Sequence, residues 1–314
     1  MAAHPSLDIE AGTSAIDNSF YEKTVIHNRD FQQYSIANQV YLAPIDEDEQ
    51  ERQEIFHDVL SRVFDNRLLF PLVSHPRRIL DCGYGCALWA SEVAAQNPHC
   101  EVLGIDINPW QPERAPSNLY LQVDDLNREF NFSSHSFDLV HSQMMASGIH
   151  INRWTEYMND MLRVTRPGGW TQMVELYYNV QSDNGSLTED HALRRWSHLY
   201  LESHQGLKDL RVPLRLPAMM REAGFVDVEN RMLQLPTCAW PTDQRENAIG
   251  AANRENIQRM LFALAVYPFT ERLGITIQDV QLLVAQARVE ADNPSLKAYF
   301  PLYVCLGRKS RSRR

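Results

Sequence analysis

The chain has 314 residues, of which 44% are apolar and 22% charged, a composition that excludes collagen-like, coiled-coil and wholly disordered proteins. Its net charge of −10 repels phosphates and anionic membranes, so neither nucleic acid nor a membrane is an expected partner. The five cysteines are scattered through apolar runs, which favours reduced thiols in a cytoplasmic protein over a disulfide framework. We find neither a secretion signal nor an apolar run near the ~20 residues that a membrane span needs.

The two ends of the chain carry no apolar period. Residues 1–23 are mostly small and polar, and we predict a disordered N-terminus there, while residues 309–314 are predicted to be a mobile basic tail. The first regular element is an amphipathic helix over residues 46–63. Its acidic residues come first, and Phe56 and Val59 belong to a set of apolar residues at three- and four-residue spacing.

A strand, a glycine turn and a helix follow this first helix. The strand begins near Arg77, the turn contains Gly83 and Gly85, and the helix runs towards Gln96. A second apolar strand, Glu101–Asp106, ends in an acid. Together these elements form a predicted βαβ unit.

The alternation of strands and helices continues along the chain. We predict further strands at 119–123, 137–141, 170–176, 225–233 and 299–306, and helices at 154–164, 187–208, 216–223 and 243–290. Such alternation predicts an α/β domain whose parallel sheet is covered by helices on both faces. We find no internal repeat, so we expect one large domain.

The glycine turn and the acids that end the next two strands indicate a nucleotide site. Gly83 and Gly85 allow the backbone to turn sharply and to approach a ligand where a Cβ atom would collide. Ligands of open α/β sheets bind beyond the carboxyl ends of the strands, where Asp106 can accept both hydroxyls of a ribose. Asp125 and Leu126 follow the third strand, and we predict that they contact the adenine.

The residues around the turn favour S-adenosylmethionine over a dinucleotide. A pyrophosphate site usually has a third glycine where this chain has Leu88. Asp81 suits the cationic amino-acid end of S-adenosylmethionine better than it suits a pyrophosphate. The alternative is that the glycines only turn the chain and the acids only cap helices. The full predicted cofactor-binding set is Tyr34, Asp81, Gly83, Gly85, Asp106, Ile107, Asp125, Leu126, His141 and Gln143.

Five segments carry a resemblance to a known family. They are residues 41–52 (YLAPIDEDEQER), 105–112 (IDINPWQP), 136–141 (SFDLVH), 162–170 (LRVTRPGGW) and 297–304 (KAYFPLYV). Through them the chain, from about Val25 to Arg308, resembles the fungal LaeA-like class I methyltransferases, many of which tailor secondary metabolites. The family usually has a small residue where this chain has Tyr84, and a third glycine where it has Ala87.

The resemblance implies a seven-stranded Rossmann-like α/β fold with an N-terminal helical lid and helical insertions. We expect a single methyltransferase domain over residues 24–308. Its expected parts are a helical lid at 24–68, a cofactor-binding core at 69–178, helical substrate-cap insertions with a sixth strand at 179–298, and the last strand at 299–308.

Methyl transfer from a sulfonium requires an acceptor held ~3–3.5 Å from the methyl carbon, with water excluded. A hydroxyl or N–H acceptor also gains from a base, which we predict among His141, His150 and Glu175. His198 and His204 lie six residues apart on a predicted helix, so at most one of them faces the substrate. No cluster of His, Cys and Asp has zinc spacing, so we predict no metal.

These observations favour an S-adenosylmethionine-dependent methyltransferase acting on an oxygen or nitrogen atom of a small apolar or aromatic molecule in fungal secondary metabolism. Two alternatives stay open. One is a cyclase or pericyclase that binds the cofactor on the same fold without methyl transfer, and the other is a LaeA-type regulatory protein. A homodimer is compatible with the sequence.

Overall fold

The structure is a computed structural model, and it describes residues 16–71 and 73–311. The strands are β1 Lys23–Ile26, β2 Arg29–Gln32, β3 Arg78–Cys82, β4 Glu101–Asp106, β5 Leu119–Val123, β6 Phe137–Gln143, β7 Thr165–Leu176, β8 Val226–Pro236 and β9 Tyr299–Arg308. The α-helices are α1 Gln33–Ala37, α2 Glu47–Val63, α3 Leu88–Gln96, α4 Trp154–Val164, α5 Ala192–Ser203, α6 Leu216–Ala223, α7 Gln244–Ala263 and α8 Ile277–Ala291.

Seven of the strands form one mixed sheet in the order β5-β4-β3-β6-β7-β9-β8. The pairs from β5 to β7 are parallel, whereas β9 is antiparallel to both of its neighbours. The interior strand β3 is apolar and buried over most of its length, as a strand covered on both faces must be. The predicted seven-stranded Rossmann-like α/β fold is therefore confirmed.

The strand order reverses between β3 and β6. From β3 the chain runs outwards to β4 and β5, and it then returns to place β6 on the other side of β3. Crevices at such a reversal, beyond the carboxyl ends of the strands, are where open α/β sheets bind ligands. This edge presents the glycine turn after β3, Asp106 at the end of β4 and Gln143 at the end of β6.

The segment predicted as a helical lid, residues 24–68, is not helical throughout. Before α1 and α2, strands β1 and β2 pair as an antiparallel hairpin. His27 and Asn28 make its two-residue turn, both with positive φ (49° and 61°), which is the geometry of a type I′ turn. Arg29 then binds Asp46, the N-cap of α2, through bonds of 2.6 and 2.7 Å, so the hairpin is tied to the helix.

The chain ends also differ in part from the expected disorder. Residues 18–21 form a short 3-10 turn that Asp17 caps. At the other end, Lys309 Nζ donates to the carbonyl oxygens of Leu162, Arg163 and Thr165 at 2.6–3.0 Å, so the first residue of the predicted tail is anchored. The predictions for residues 1–15 and 312–314 lie outside the described residues.

Strand β7 begins five residues earlier than the sequence pattern predicts. Residues 165–169, which lie between the predicted helix at 154–164 and the predicted strand at 170–176, are part of β7, and the pairing with β6 shifts register between Phe137 and Leu139. Arg166 pairs with Asp138 at 2.8 Å across this irregularity.

Candidate functional site

A cavity of about 210 Å³ opens at the carboxyl edge of β3, β4 and β6. Eight residues of the predicted cofactor set line it: Asp81, Gly83, Gly85, Asp106, Ile107, Leu126, His141 and Gln143. The hairpin-linked loop at 40–46 and helix α2 cover one side of the cavity, and residues from α5 and α7 close its other end. The topology therefore brings most of the predicted set together.

The glycine turn has the backbone geometry that the sequence predicts. Gly83 and Gly85 have φ of +80° and +53°, in the left-handed region that disfavours a Cβ atom. A Cβ atom on Gly83 would lie 2.2 Å from Met145 Sδ, so the turn has no room for one. Met145 therefore packs directly against the main chain of this turn, and both glycines line the cavity.

Asp106 holds the turn and also faces the cavity. Its carboxylate accepts hydrogen bonds from the N–H groups of Gly85 at 2.9 Å and Asn108 at 2.8 Å. Burial raises the pKa of Asp106 to about 6, although these N–H donors act in the opposite direction. Each carboxylate oxygen has two acceptor positions, so the group can still accept ribose hydroxyls.

A second acid lies beneath the turn. Asp81 is buried and lines the same cavity. Its own burial, and then the charge of Asp106, raise the pKa of Asp81 well above its usual value. Two acids in one apolar cavity favour a ligand with a positive group, because a cation offsets the cost of their ionised forms.

The two departures from the family pattern have different structural outcomes. The Tyr84 ring packs over Gly104 of β4, and its hydroxyl donates to the carbonyl oxygens of Asn108 and Trp110 at 3.0 and 3.2 Å. Tyr84 therefore supports the loop that follows Asp106. Ala87, in place of the third glycine, retains the left-handed φ of +54° that a glycine would adopt without strain.

Tyr34 and Asp125 do not line the cavity. Tyr34 stacks on Phe20 with ring centroids 4.6 Å apart, and its hydroxyl accepts from Arg128 at 3.4 Å. Asp125 Oδ1 accepts from the backbone and side-chain nitrogens of Asn127 at 2.9 and 3.0 Å, which turns this carboxylate into the loop. The side chains that line the cavity beside Leu126 are Asp124 and Asn127.

His141 lines the cavity, but neither of its ring nitrogens has a lone pair free to act as a base. The Gln172 amide is oriented by the backbone, since its oxygen accepts from Phe70 N–H at 2.8 Å and its nitrogen donates to Leu68 O at 2.9 Å. That nitrogen also donates to His141 Nδ1 at 3.2 Å, so Nδ1 accepts and Nε2 carries the proton. Burial lowers the pKa of His141 to about 3, and Trp89 stacks on the ring at 3.8 Å.

Glu175 is a structural acceptor below the cavity. Its two oxygens accept from the consecutive N–H groups of Met145 at 2.8 Å and Ala146 at 3.1 Å. These bonds hold the turn at Met144, which has a left-handed φ of +57°. Burial raises the pKa of Glu175 to about 8. Neither Glu175 nor His150 lines the cavity, and His150 Nε2 lies 3.0 Å from Gln39 O on the protein surface.

Sequence reasoning missed a buried ion pair in the cavity wall. Arg52 and Glu49 of α2 form two hydrogen bonds of 2.8 and 2.7 Å, and Arg52 Nη1 also donates to Asn256 of α7 at 2.9 Å. Helix periodicity could have placed both residues on one face, but both are charged, and charged residues usually mark an exposed face. The pair joins α2 to α7 beside the cavity.

The end of the cavity away from the glycine turn is apolar with phenol groups. We name it the acceptor end and define it by Tyr41, Tyr178, Tyr200, His204, Met260 and Leu264. The Tyr178 and Tyr200 rings lie 5.0 Å apart, and the Tyr200 and His204 rings 4.6 Å apart. Burial raises the pKa of each of the three tyrosines, so their hydroxyls are neutral donors.

Across residues 16–71 and 73–311, no group of three or more His, Cys, Asp or Glu side chains has the arrangement of a metal site. In the same part of the chain, no helix combines the length and apolar character that a membrane crossing requires.

Comparison with known proteins identifies the family. A family model described as a methyltransferase domain matches residues 49–230, which is more than half of the chain. The methyltransferase pytC of Aspergillus terreus is 29% identical over 308 residues, covering 97% of this chain and 94% of the relative. The secondary metabolism regulator laeA of Monascus pilosus is 30% identical over 277 residues, covering 86% of this chain and 74% of the relative.

Among solved structures, phosphoethanolamine N-methyltransferase 2 of Haemonchus contortus in complex with S-adenosyl-L-methionine matches with a TM-score of 0.49 and 19% identity, covering 81% of this chain and 52% of that one. The family model and the curated relatives carry the assignment. The chain belongs to the methyltransferase-domain family and is a fungal LaeA-like class I methyltransferase.

Proposed function

We propose that the protein transfers a methyl group from S-adenosylmethionine to an oxygen or nitrogen atom of a small apolar molecule in fungal secondary metabolism. One observation carries the proposal. A single cavity combines a glycine turn and Asp106 at one end with an apolar, tyrosine-lined acceptor end. A methyl donor and a small acceptor can therefore meet in one water-poor space.

S-adenosylmethionine is the methyl donor of class I methyltransferases, and when bound it supplies an electrophilic methyl group. The residues of this chain fit it. Gly83 and Gly85 line the cavity where the methionine part would lie, and Asp106 would accept the ribose hydroxyls. Asp81 would offset the positive charge of the amino-acid end, and Leu126 would lie against the adenine.

The protein's own contribution is to bind, orient and exclude water. Displacement at a methyl group needs close, aligned reactants, so most of the acceleration comes from positioning. Phe56 and Leu176 add apolar surface to the cavity wall, and the Arg52–Glu49 pair fixes α2 over it. These contacts support an enclosed acceptor rather than one held on an open surface.

The relatives favour a second candidate as well. Several are named secondary metabolism regulators, and a regulatory protein of this type would use the same cofactor site on a different target. The discriminating observation is turnover of a small molecule by the purified chain in the absence of any protein partner.

The test starts with binding. Calorimetry should detect binding of S-adenosylmethionine and of its demethylated product to wild type. The Asp106→Ala variant should bind both compounds about tenfold more weakly or worse, because it loses charge-assisted hydrogen bonds. Asp58→Ala, an exposed acid of α2, is the matched control and should bind as wild type does.

Turnover is then followed by product mass. Incubation with labelled cofactor and candidate metabolites should give products heavier by one methyl group. A product of unchanged mass would instead support a cyclase, and absence of cofactor binding by well-folded wild type would refute the proposal.

A further inference from the structure

The acceptor end contains a histidine whose geometry differs from that of His141. His204 follows the last residue of α5, lines the cavity and is 1% exposed. His198, on the same helix, has a side chain that is 51% exposed and lies 3.4 Å from Glu189. Only one of these two histidines therefore reaches the substrate region, as the spacing predicts.

The tautomer of His204 is fixed by the backbone. Its Nδ1 lies 2.9 Å from the carbonyl oxygen of Tyr200, and a carbonyl oxygen can only accept. Nδ1 therefore carries the proton, while Ser203 Oγ lies 3.1 Å from the same nitrogen. Nε2 is left with a lone pair, and among the described residues it has no hydrogen-bond partner.

The surroundings of His204 keep its ring neutral. Burial, together with the charges of Arg272 and Lys208, lowers the pKa of His204 to about 4. Lys208 Nζ donates to Val40 O and Gly148 O, and Arg272 donates to Ser203 O, so both cations are bound to carbonyl groups. The ring is therefore able to accept a proton at neutral pH.

The charge of the acceptor end restricts what can bind there. Glu49 lines the cavity close enough to act on Tyr41 and Tyr178, but it is already paired with Arg52, and the tyrosines are neutral. A protonated amine would lose its hydration without gaining a free carboxylate, which is costly. A neutral molecule with a hydroxyl group can bind without that cost, with tyrosine hydroxyls as partners.

We propose that the acceptor end takes a neutral apolar molecule with an acidic hydroxyl, a phenol or enol, and that His204 Nε2 is the general base. This proposal rests on the proposed function. The O–H bond breaks and its proton moves to Nε2. The acceptor oxygen forms a bond to the methyl carbon as the carbon–sulfur bond breaks, and that electron pair stays on sulfur.

The charge of the cavity is conserved in this step. One positive charge is present on the methyl donor before the reaction, and one is present on the His204 imidazolium after it. The positive imidazolium therefore forms only as the positive charge on the methyl donor disappears. Its proton passes to water when the product leaves. A positioned base of this kind contributes about 10²–10⁴-fold in rate.

The test compares His204→Asn with His198→Asn. Asparagine at 204 retains an N–H group for Tyr200 O but has no equivalent of Nε2. Single-turnover rates are measured with saturating S-adenosylmethionine and 1-naphthol, 4-hydroxy-6-methyl-2-pyrone or 1-naphthylamine. We expect methylation of the two hydroxyl compounds, a loss of about 10²-fold or more in the 204 variant, and a wild-type rate in the 198 variant.

Three further readouts separate a base from a structural residue. Calorimetry should give both variants the cofactor affinity of wild type within about twofold. With saturating S-adenosylmethionine, the wild-type rate should change little between pH 7 and 9, because Nε2 of His204 is already unprotonated there. The rate of the 204 variant should rise about tenfold per pH unit as the hydroxyl ionises by itself. Nitrogen-15 NMR of the His204 ring should show a protonated Nδ1 and a bare Nε2.

The outcomes are distinct. Equal rates for the 204 and 198 variants, a protonated Nε2, preference for 1-naphthylamine, or no methylation of either hydroxyl compound by cofactor-bound wild type would each overturn this inference and leave the proposed function standing. Failure of wild type to bind the cofactor would overturn the proposed function itself.

Discussion

Replacement of Arg52 by Met should destabilise the protein strongly. The side chain lost is one partner of a buried pair, and Glu49, which is 1% exposed, would lose both of its hydrogen bonds from Arg52. Loss of one partner of such a pair costs about 3–5 kcal/mol. Asn256 of α7 would also lose its bond from Arg52, so the contact between α2 and α7 would loosen.

The assay is equilibrium urea unfolding at pH 7, followed by tryptophan fluorescence and circular dichroism. The double variant Glu49→Gln with Arg52→Met also removes the carboxyl group that Arg52→Met leaves without its partner. It should recover more than half of the free energy of unfolding lost in the single variant. Arg62→Met breaks a pair with Asp58 that is more than half exposed on both sides, and it should change stability by less than about 1 kcal/mol. A loss below about 1 kcal/mol in Arg52→Met, or a double variant no more stable than the single, would refute the buried-pair argument.

Three further predictions concern the turns around the cavity. Gly83→Ala places a Cβ atom 2.2 Å from Met145 Sδ at positive φ, so Met145 or the turn must move within the cavity wall. Calorimetry should therefore show at least about tenfold weaker cofactor binding, and unchanged affinity would contradict the packing of Met145 against this turn. The pKa of Glu175 is raised to about 8, so its stabilising contribution is full below about pH 4.5 and is lost as pH rises through 8. The free energy of unfolding of wild type relative to Glu175→Gln should therefore fall between pH 5 and 8. A difference in urea unfolding that stays constant over this range would contradict the raised pKa of Glu175. Burial lowers the pKa of Lys208 to about 7, so the unfolded chain holds more protons above that pH. Wild type should gain stability relative to Lys208→Met from pH 7 to 10, and a flat difference would show that Lys208 stays charged.

The sequence predicted the elements whose pattern depends on burial alone. Strands β3 and β4 are short and apolar, and the glycine turn and Asp106 follow from where these strands end. The hairpin β1–β2 was missed because its strands are only four residues long, although Asn28 in a two-residue turn is a recognisable signal. Local pattern is weak evidence for such short strands.

The candidate base could not be predicted because tautomers depend on contacts distant in the sequence. His141 is oriented by Gln172, whose amide is itself held by the backbone at 68 and 70. His204 is oriented by the carbonyl group four residues earlier, but only the tertiary fold turns its ring towards the cavity. The same holds for Arg52 and Glu49, whose burial follows from the packing of α7 on α2.

Tyr84 and Gly104 are coupled by their packing in this chain. A Cβ atom on residue 104 would lie 2.9 Å from the Tyr84 ring, and the ring fills the space that a side chain at 104 would occupy. The same Cβ atom would lie 2.8 Å from Leu121, so a small residue at 84 alone would leave a void without making room for a side chain at 104. Placing the small residue usual in the family at position 84 would therefore require the packing around Gly104 and Leu121 to change with it.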